Sequence, residues 1–592
     1  MGSMAETHSA ADAFFEAIAQ AGITHCFVNL GSDHPGMIEA MVKGQRRSPG
    51  KFPRIITCPH EMVAMSMADG YARVTGKPQC VIVHVDVGTQ GLGVAVHNAS
   101  VGRAPILVFA GLSPFTLEGE LRGSRSEFIH WLQDVPDQRA IVSQYCRYSA
   151  ELKTGCNVKQ MVNRALQFAS SEPQGPAYLC AAREVIEAEV PRVELEQRFW
   201  APIGMGGLPP GAATVIAEAL ASAEKPLVVT TYSGRNLEVP AALVELADTV
   251  KTLRVLDATA SDMCFPADHP AWVGTTFGSH DAVTEADTIL VLNCDVPWIP
   301  TRCKPREDTR IFHIDIDPLK QQMPLFYLPA EARYRADTLL SVRQIIDELR
   351  GPASSTLSAR DLAVDEESRR TGYEARLRAI DERAVPSPDG SFGAGHLSSV
   401  LRSVCPSDTI WTVEAVTNTS FILDNIRPTL PGQWINSGGG GLGWSGGATL
   451  GVKMAADVQA GGGSGSGRFV CQIVGDGTYL FGVPASVYWI SRRYNIPVLT
   501  VVLNNNGWNA PRHSYNFVHP DGEASRVDNV EMNISFAPGP DYAGIAAAAG
   551  AGDIHALRVS HASELESVLK DAVAKVLAGK TAVVDCSVVP GS

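Results

Sequence analysis

Short apolar runs alternate with helix-sized segments along the whole chain. The first 190 residues contain "HCFVNL", "QCVIVHV", "PILVFAG" and "AYLCAA". A second set begins near Lys225 with "PLVVTTYSG", "TILVLN" and "IFHIDID", and a third begins near Thr409 with "TIWTVEA", "RFVCQIVGDG", "PVLTVVLNN" and "TAVVDCSVV". Continuous apolar runs of this length are typical of parallel strands that helices cover on both faces. The pattern therefore predicts an α/β protein with doubly wound parallel sheets.

The three sets of strands predict three domains. A chain of 592 residues is too long for one hydrophobic core, since cores stop growing near roughly 250–300 residues. A proline-containing stretch, 192–212, separates the first set from the second, and a polar, charged stretch separates the second from the third. We predict domains at 4–191, 208–350 and 391–592, with 351–390 as the linker.

Composition excludes several classes of partner. The net charge of −14 offers no basic face for nucleic acid, and no apolar run reaches the roughly 18 residues of a membrane span. The twelve cysteines are scattered and form no C-x-x-C pair, which disfavours zinc and redox motifs. Scattered thiols suit a reducing compartment. We therefore expect a cytoplasmic protein that binds neither nucleic acid nor membrane.

An acid in a glycine turn is the main chemical motif. Gly475-Asp476-Gly477 follows the run "RFVCQIV", and the next predicted strand, "PVLTVVL", ends in asparagines that include Asn505. Both strand ends belong to the carboxyl edge of a parallel sheet, where ligands bind. Carboxylate and amide oxygens suit Mg²⁺ beside a phosphate, and Gly477 and Thr478 open a helix whose free N–H groups can hold one. A plain turn with an Asx cap is the alternative, and the asparagines at this distance disfavour it.

The G-D-G…N-N pattern resembles the cofactor motif of thiamine-diphosphate enzymes. The resemblance is to the branch that holds benzoylformate decarboxylase, pyruvate decarboxylase and acetohydroxyacid synthase, and it covers nearly the whole chain. It implies a pyrimidine-binding domain first, a central domain, and a diphosphate-binding domain last. It also implies that Asp476 and Asn505 are side-chain ligands of Mg²⁺ and that the carbonyl of Gly507 is a third ligand. The choice of Asn505 over Asn504 and Asn506 stays open, because the helix after the turn is slightly longer than in many relatives.

Glu61 is the candidate catalytic acid. It stands at the head of a predicted helix in "TCPHEMVAMSMADGYARVTGKP", where an acid is also favoured by the helix dipole alone. It follows the strand-like "RIIT", and the "ADGYAR-TG-P" pattern after it resembles the segment that follows the catalytic glutamate of this family. The resemblance implies that Glu61 hydrogen-bonds to the aminopyrimidine ring and so assists removal of the C2 proton, which is the cofactor's own chemistry.

Two further stretches match cofactor-contacting segments of the family. In "NSGGGGLGWSGGATLG" the glycines allow close approach of the backbone. The resemblance implies that Gly440 contacts the pyrimidine ring and that Leu442 is the apolar wedge beneath it. In "WTVEAVTNTS", Glu414, Thr417 and Asn418 match the segment that touches the diphosphate in relatives.

The first domain carries the substrate clues. "CFVNLGSDHPG" is similar to the N-P-G-S turn of benzoylformate decarboxylase and places Ser32 in the site. "VIVHVDVGTQGLG" places His84 where that enzyme has an active-site histidine. A lone histidine in an apolar strand is usually a core residue bonded to a backbone carbonyl. The position of His84 at the end of the strand, before a glycine loop, favours a role in proton transfer.

The sequence departs from the family at the second histidine. Benzoylformate decarboxylase has one in its middle domain, but the matching stretch here, "VLNCDVPWIPTRC", has Trp298 and Ile299 instead. Without a second proton donor, aldehyde release would be slow, and ligation to a second carbonyl is an alternative. We include Trp298, Ile299, Trp508 and His513 as candidate substrate-pocket residues, and leave His130 open between the site and a subunit contact.

These observations predict an enzyme that uses thiamine diphosphate and Mg²⁺. Its small-molecule substrate would be a 2-oxo acid, which it decarboxylates with aldehyde release or with carboligation as in acetolactate synthase. The alternatives are a lyase or ligase of aldehydes and 2-hydroxy ketones without decarboxylation, and a non-catalytic cofactor-binding homologue. The central stretch has no G-x-G-x-x-G motif, so FAD is not expected. The resemblance also implies a homodimer or homotetramer in which Glu61 of one chain faces the diphosphate site of another.

Overall fold

A computed structural model gives the structure of the protein and describes residues 7–358 and 362–590. Three six-stranded sheets, all parallel, follow one another along the chain, so the predicted three doubly wound domains are confirmed. The predicted outer ends of the first and last domains, at 4 and at 592, lie outside the described residues, as does 359–361 of the predicted linker. The exact domain bounds remain predictions.

The described part of the first domain has eight strands and seven helices. The strands are β1 (Thr7–Ser9), β2 (His25–Val28), β3 (Arg54–Thr57), β4 (Gln79–Val83), β5 (Ile106–Leu112), β6 (Tyr148–Leu152), β7 (Pro176–Ala182) and β8 (Glu189–Pro191). The helices are α1 (Ala10–Gln20), α2 (Pro35–Arg47), α3 (Glu61–Thr75), α4 (Val85–Val101), α5 (Ile129–Leu132), α6 (Val158–Ser170) and α7 (Arg183–Glu187). The sheet order is β3-β2-β4-β5-β7-β6, and β1 pairs with β8 in an antiparallel ribbon. Strands β2, β4 and β7 are buried throughout, as expected for a sheet covered on both faces.

The central domain repeats this architecture. Its strands are β9 (Pro226–Thr230), β10 (Arg254–Ala258), β11 (Trp272–Thr276), β12 (Thr288–Leu292), β13 (Arg310–Asp315) and β14 (Ala332–Arg335), in the order β11-β10-β9-β12-β13-β14. Its helices are α8 (Ala212–Ser222), α9 (Val239–Thr249), α10 (Asp281–Glu285) and α11 (Thr338–Arg350). The predicted linker holds α12 (Ser354–Ser358) and α13 (Leu362–Arg383). Tyr373 and Leu377 of α13 pack against the central core.

The last domain carries the glycine turn. Its strands are β15 (Ile410–Glu414), β16 (Trp434–Asn436), β17 (Val470–Gly475), β18 (Leu499–Asn504), β19 (His555–Val559) and β20 (Ala582–Ser587), in the order β16-β15-β17-β18-β20-β19. Its helices are α14 (Ala394–Val404), α15 (Thr419–Ile426), α16 (Trp444–Gln459), α17 (Asp476–Phe481), α18 (Pro484–Tyr494), α19 (Asn509–Val518), α20 (Tyr542–Ala549) and α21 (Ala562–Leu577).

The segment after the glycine turn differs from the single crossover helix that the sequence suggests. It forms α17 and α18, separated at Gly482 and Val483. Val483 has a φ of 52°, a left-handed conformation that is unfavourable for a β-branched residue. Pro484 begins the next helix, and a residue before proline is held out of the α region. The proline therefore explains the break.

The first and last domains share one hydrophobic core, which includes side chains from α3 and α16. Glycines bring these two helices into close contact. A Cβ on Gly70 would lie 2.3 Å from the carbonyl oxygen of Ala448, and one on Gly451 would lie 2.0 Å from that of Met67. Any larger residue at these positions would force the helices apart. The two domains are therefore held in a fixed arrangement within one chain.

Seven short 3₁₀ helices complete the described secondary structure: Gln138–Ile141, Ser143–Tyr145, Gly155–Asn157, Gln197–Trp200, Ser233–Arg235, Val416–Asn418 and Glu523–Arg526. Within 7–358 and 362–590, no helix combines the length and the apolar character that crossing a membrane requires.

Candidate active site

Asp476 lies at the carboxyl edge of the last sheet, where β17 ends at Gly475 and α17 begins. Its Oδ1 accepts the N–H of Gly477 at 2.7 Å, and its Oδ2 accepts the N–H of Gly507 at 3.0 Å. The side chain is buried, and burial raises the pKa of Asp476 to about 6 although backbone N–H groups oppose the change. A buried carboxylate whose partners are neutral N–H groups is a favourable place for a cation.

The three asparagines at the end of β18 have different surroundings. Asn504 donates from Nδ2 to Oδ1 of Asp585 at 3.0 Å. The Oδ1 atom of Asn505 is buried and has no hydrogen-bond partner within 7–358 and 362–590, whereas Asn506 is exposed. Gly507 has a φ of 146°, and a Cβ there would lie 2.2 Å from the carbonyl oxygen of Ile534. Only glycine fits this position.

A second such amide oxygen lies just beyond the neighbouring strand. Asn418 is the last residue of the 3₁₀ helix after β15, which pairs with β17, and its Oδ1 is also buried, with no hydrogen-bond partner among the described residues. Thr478 is buried in the first turn of α17, and Thr417 is half-buried. Unsatisfied buried acceptors carry a free-energy cost unless a ligand or water meets them. The donor set of this edge therefore fits a hard cation with a phosphate group.

Trp508 packs directly on the glycine turn. A Cβ on Gly477 would lie 2.3 Å from Cζ3 of the indole ring, and the ring meets Phe536 edge-on at 4.9 Å between centroids. Gly477 is therefore needed for the indole to cover the turn. His513, predicted to be near the substrate, is exposed on α19.

The glycine loop at 437–443 is held by the first domain. Asn98 of α4 donates from Nδ2 to the carbonyl oxygen of Gly441 at 2.6 Å and accepts the N–H of Gly441 on Oδ1 at 3.0 Å. Nε2 of His97 accepts the N–H of Gly440 at 3.3 Å. Leu442, which follows these contacts, is half-buried. The position of Gly440 and Leu442 is thus set by α4.

Glu414 closes the other end of the same loop. Its Oε1 accepts the N–H groups of Gly443 and Trp444 at 3.0 and 3.3 Å, and its Oε2 accepts that of Ser445 at 2.7 Å. These are free N–H groups at the start of α16, so Glu414 satisfies the helix terminus. Burial raises the pKa of Glu414 to about 7.

Glu61 is the first residue of α3, as predicted, and is held in a glycine cradle. Nδ2 of Asn29 donates to its Oε1 at 2.7 Å. A Cβ on Gly91 would lie 2.6 Å from its Oε2, and one on Gly88 would lie 3.4 Å from its Oε1. The carboxylate therefore lies against bare backbone of α4 and is oriented by one amide.

His84 lies between the end of β4 and the start of α4, where it pairs with an acid. Its Nδ1 lies 2.5 Å from Oδ1 of Asp33, and Oδ2 of Asp33 accepts the N–H of Val85 at 3.2 Å. The hydrogen bond from Asp33 raises the pKa of His84 above its ordinary value, against the effect of burial. The charges of His34 and His84 hold the pKa of Asp33 well below its usual range, although burial opposes this.

Asp33, His34 and His84 also have the composition of a metal site, with ligand atoms within 4.8 Å of one another. Two ligand atoms of one tetrahedral metal ion, each about 2.0–2.2 Å from it, lie about 3.4 Å from each other. The Oδ1 of Asp33 is closer than that to both rings: it is hydrogen-bonded to Nδ1 of His84 at 2.5 Å and lies 2.9 Å from Nδ1 of His34, which itself accepts the N–H of Gly31 at 3.1 Å. The cluster is therefore best described as hydrogen-bonded.

Ser32 lies beside a second histidine. Its Oγ is 3.5 Å from Nε2 of His130. Nδ1 of His130 accepts the N–H of Ser126 at 3.2 Å, so the ring hydrogen is on Nε2 and points toward Ser32. Burial lowers the pKa of His130, and the charge of Arg183 adds to this. Arg183 also donates to the carbonyl oxygen of Ser32 at 3.1 Å. His130, left open by the sequence, thus faces Ser32.

The two candidates in the central domain, Trp298 and Ile299, take part in the packing of that domain. Trp298 is buried in the core of that domain, and Ile299 packs on Gly278. A cavity of about 370 Å³ opens at the carboxyl edge of the central sheet, where a nucleotide would bind in such a fold. Tyr232 and Asn293 line it. That this enzyme needs no FAD stays a prediction, as does the substrate role of Trp298 and Ile299.

The sequence did not predict several residues of the candidate site. Asn29 and Asp33 lie in the same short run as Ser32, at the carboxyl end of β2, and polar residues at such an edge are a general signal of a site. Asn98 had no comparable signal, because its partner is 343 residues away in the chain.

Fold and site together define a three-domain α/β protein with acids at two sheet edges, and comparison with known proteins gives the family. The thiamine pyrophosphate enzyme N-terminal TPP binding domain matches residues 8–141, the central domain 213–323, and the C-terminal TPP binding domain 415–586. The chain belongs to the family of thiamine pyrophosphate (thiamine diphosphate) enzymes.

Individual relatives extend over nearly the whole chain. Benzoylformate decarboxylase of Pseudomonas aeruginosa is 24% identical over 585 residues, 96% of this chain and 97% of that protein. The acetolactate synthase isozyme 3 large subunit of Escherichia coli is 24% identical over 554 residues, 89% and 87% of the two chains. The thiamine diphosphate-dependent 4-hydroxybenzoylformate decarboxylase of Rhodococcus jostii RHA1 has the same fold, with a TM-score of 0.78, 20% identity, and 99% and 100% of the two chains covered. Decarboxylase or carboligase chemistry fits these relatives.

Proposed function

We propose that the protein is a thiamine-diphosphate- and Mg²⁺-dependent enzyme that decarboxylates a 2-oxo acid and releases the aldehyde. The observation that carries the proposal is the buried Asp476 beside the unpaired, buried Oδ1 of Asn505 at one sheet edge. The family membership of the chain and the names of its relatives add support. A cytoplasmic location is part of the same proposal.

The last domain would hold the diphosphate and its metal ion. Asp476, Asn505 and the carbonyl of Gly507 are the proposed Mg²⁺ ligands, since Mg²⁺ takes oxygen ligands and shares them with phosphate. The remaining contacts to the diphosphate are proposed from Gly475, Gly477, Thr478, Thr417 and Asn418. When bound, thiamine diphosphate supplies a nucleophilic carbon and then accepts the electron pair that departing CO₂ leaves behind.

Glu61 is the proposed acid partner of the aminopyrimidine ring. Asn29 and the glycines of α4 fix the carboxylate in one orientation, so it would hold a proton at a defined point instead of swinging through solvent. Gly440 and Leu442 would contact the ring from the last domain, in a loop that Asn98 keeps in place. The local geometry and the family resemblance support the role proposed for each residue.

Two histidines favour aldehyde release over carboligation. Release requires delivery of a proton to the substrate, whereas ligation replaces that step by attack on a second carbonyl. His84, paired with Asp33, and His130, which points its Nε2 hydrogen at Ser32, are both in the first domain. The missing histidine of the central domain therefore does not deprive the site of a second imidazole.

We further propose a homodimer or homotetramer with the active site between two subunits. Large apolar side chains are exposed in the segment that contains His130, and exposed apolar groups of this number mark a contact surface. They are Phe115, Leu117, Leu121, Phe128, Trp131 and Leu132. A second copy of the chain, which brings its Glu61 to the diphosphate edge of its partner, is the proposed occupant.

Release of CO₂ from a panel of aliphatic and aromatic 2-oxo acids tests the function. The assay contains thiamine diphosphate and Mg²⁺ but no flavin. Release with stoichiometric aldehyde supports the proposal, and release with a 2-hydroxy ketone product would establish a carboligase instead. If no acid reacts, cleavage of 2-hydroxy ketones would identify the lyase alternative. Failure to accelerate exchange of the C2 hydrogen of the cofactor for deuterium would identify a non-catalytic homologue.

A further inference from the structure

The imidazole of His84 has a buried carboxylate partner that fixes which nitrogen faces outward. Asp33 is 4% exposed, and its Oδ1 is 2.5 Å from Nδ1 of His84. An ionised carboxylate can only accept a hydrogen bond, so Nδ1 of His84 carries a hydrogen. The other nitrogen, Nε2, is then the one available to a substrate. About one fifth of the His84 side chain is exposed, whereas that of Asp33 is almost fully covered.

Space for this pair is made by two glycines. A Cβ on Gly31 would lie 2.1 Å from Nδ1 of His84, and a Cβ on Gly111 would lie 1.6 Å from Oδ2 of Asp33. Either methyl group would displace the acid or the ring. Asp33 is fixed from a third side, because Oδ2 accepts the N–H of Val85. The backbone at Gly31, Gly111 and Val85 therefore holds the Asp33–His84 pair in its place.

Few other charged or titratable groups face His84. His34 shares Oδ1 of Asp33 at 2.9 Å. Asp86 of α4 and the neutral Gln133, just after α5, also favour the protonated ring, but both act more weakly than Asp33. His130 lies nearby and is affected by the charge of Asp33. Asp33 is therefore the dominant influence on His84, and Asp86 provides a nearby charge that acts through the field alone.

We propose that Asp33 is a positioning residue that holds His84 with Nε2 toward the substrate, so that His84 donates the proton that the reacting carbon takes up before the aldehyde leaves. This inference rests on the proposed function. The proton leaves Nε2 of the imidazolium for the reacting carbon of the substrate, the neutral ring keeps its Nδ1–H on Asp33, and a solvent proton restores Nε2–H. Asp33 stays ionised throughout and does not touch the substrate.

The inference is tested first by NMR titration of His84 in the enzyme loaded with thiamine diphosphate and Mg²⁺. Histidine labelled with ¹³C at Cε1 is used, and the His84 signal is identified by its absence in His84→Gln. The expected result is a pKa for His84 above its ordinary value in the wild type and a clear fall of that pKa in Asp33→Asn, because the adjacent opposite charge has been removed. Asp86→Asn is the matched control and should give a clearly smaller fall. An equal fall in both variants, or none in Asp33→Asn, would overturn the inference.

Activity gives a second, separate readout. A general acid must be protonated, so turnover with the reactive 2-oxo acid should decline above the pKa of His84. In Asp33→Asn this alkaline decline should move to lower pH, with kcat reduced more than KM is changed. Gly111→Ala, which pushes the carboxylate away without altering charge, should move the decline in the same direction. An unmoved pH profile would contradict the role of Asp33 even if the NMR shift is seen. If no 2-oxo acid reacts, the proposed function fails, while the titration still reports on the pair.

Discussion

Asn504 donates a hydrogen bond from Nδ2 to Oδ1 of Asp585 at 3.0 Å. Asp585 is fully buried, so this amide is committed to satisfying an acid in the sheet and is poorly placed to bind a ligand. The neighbouring Asn505 has a buried Oδ1 with no hydrogen-bond partner in the part of the chain that the structure describes. Two adjacent residues of the same type thus have different tasks, one in the fold and one, as we propose, at the metal ion.

Asn505→Ala should weaken binding of thiamine diphosphate in the presence of Mg²⁺. We expect a loss of about tenfold or more, because even outer-shell partners of a metal ion are worth that much. Isothermal titration calorimetry with and without Mg²⁺ measures the loss, which should disappear when Mg²⁺ is absent.

Asn506→Gly is the matched control for that prediction. Asn506 is exposed and has a φ of 64°, which glycine adopts without strain. Its affinity for the cofactor should equal that of the wild type. A loss in Asn506→Gly with none in Asn505→Ala would show that the ligand has been assigned to the wrong asparagine.

Glu61→Gln should bind the cofactor and lose most turnover. The amide keeps the shape of the side chain but cannot exchange a proton, and proton transfer by a positioned group is worth about 10²–10⁴ in rate. Calorimetry should find an affinity close to that of the wild type, and a CO₂ assay should find kcat reduced by that factor. Wild-type turnover in this variant would remove Glu61 from the mechanism.

Asn98→Ala should loosen the glycine loop of the last domain. The substitution leaves both the N–H and the carbonyl of Gly441 without their partner, and an unsatisfied buried polar group costs about 1–3 kcal/mol. We expect faster hydrogen exchange at 437–443 and weaker binding of the cofactor. His97→Gln, which alters one long contact to Gly440, should have a smaller effect on both. Equal exchange in the wild type and Asn98→Ala would contradict the clamp.

Glu414 should make the stability of the protein depend on pH. Its folded-state pKa of about 7 lies above the ordinary 4.5, so the folded chain binds the proton more tightly than the unfolded chain. The stabilising contribution is therefore complete below pH 4.5 and is lost as the pH rises through 7. Its full size is on the order of 3 kcal/mol.

The variant Glu414→Gln checks this dependence. Its Tm should be lower at every pH, because the amide group presents hydrogens to the backbone N–H groups of α16. The change in its Tm between pH 4.5 and 7.5 should be smaller than that of the wild type. Glu382→Gln, at an exposed position in α13, should follow the wild-type curve. A curve for Glu414→Gln parallel to that of the wild type would contradict the assignment.

The sequence was sufficient to predict the architecture and to place the candidate residues at the sheet edges. Uninterrupted apolar runs indicate buried parallel strands. The polar residues that follow these runs, such as Asp476, Asn505 and His84, must then lie at a sheet edge because of the topology. The Asp33–His84 pair was missed, because it joins residues 51 apart on two different strand ends. The clamp of Asn98 on Gly441 was missed for a similar reason, since it depends on how two domains pack.

The broken crossover after the glycine turn shows a different limit. The apolar pattern of the segment predicts one continuous helix, but Pro484 and the left-handed Val483 divide it into two. Local backbone chemistry outweighed periodicity there. Attention to the residue before the proline would have found the break.

The glycines against His84 and Asp33 limit how this protein can vary. An acid at position 33 is compatible only with the absence of a side chain at 31 and at 111, since a single methyl group would occupy its place or that of His84. Substitutions at positions 31, 33 and 111 are therefore coupled to one another. A homologue that carries alanine at position 111 should also lack the acid at position 33. The residues at 31, 33 and 111 together therefore identify, from sequence alone, the family members that share this histidine environment.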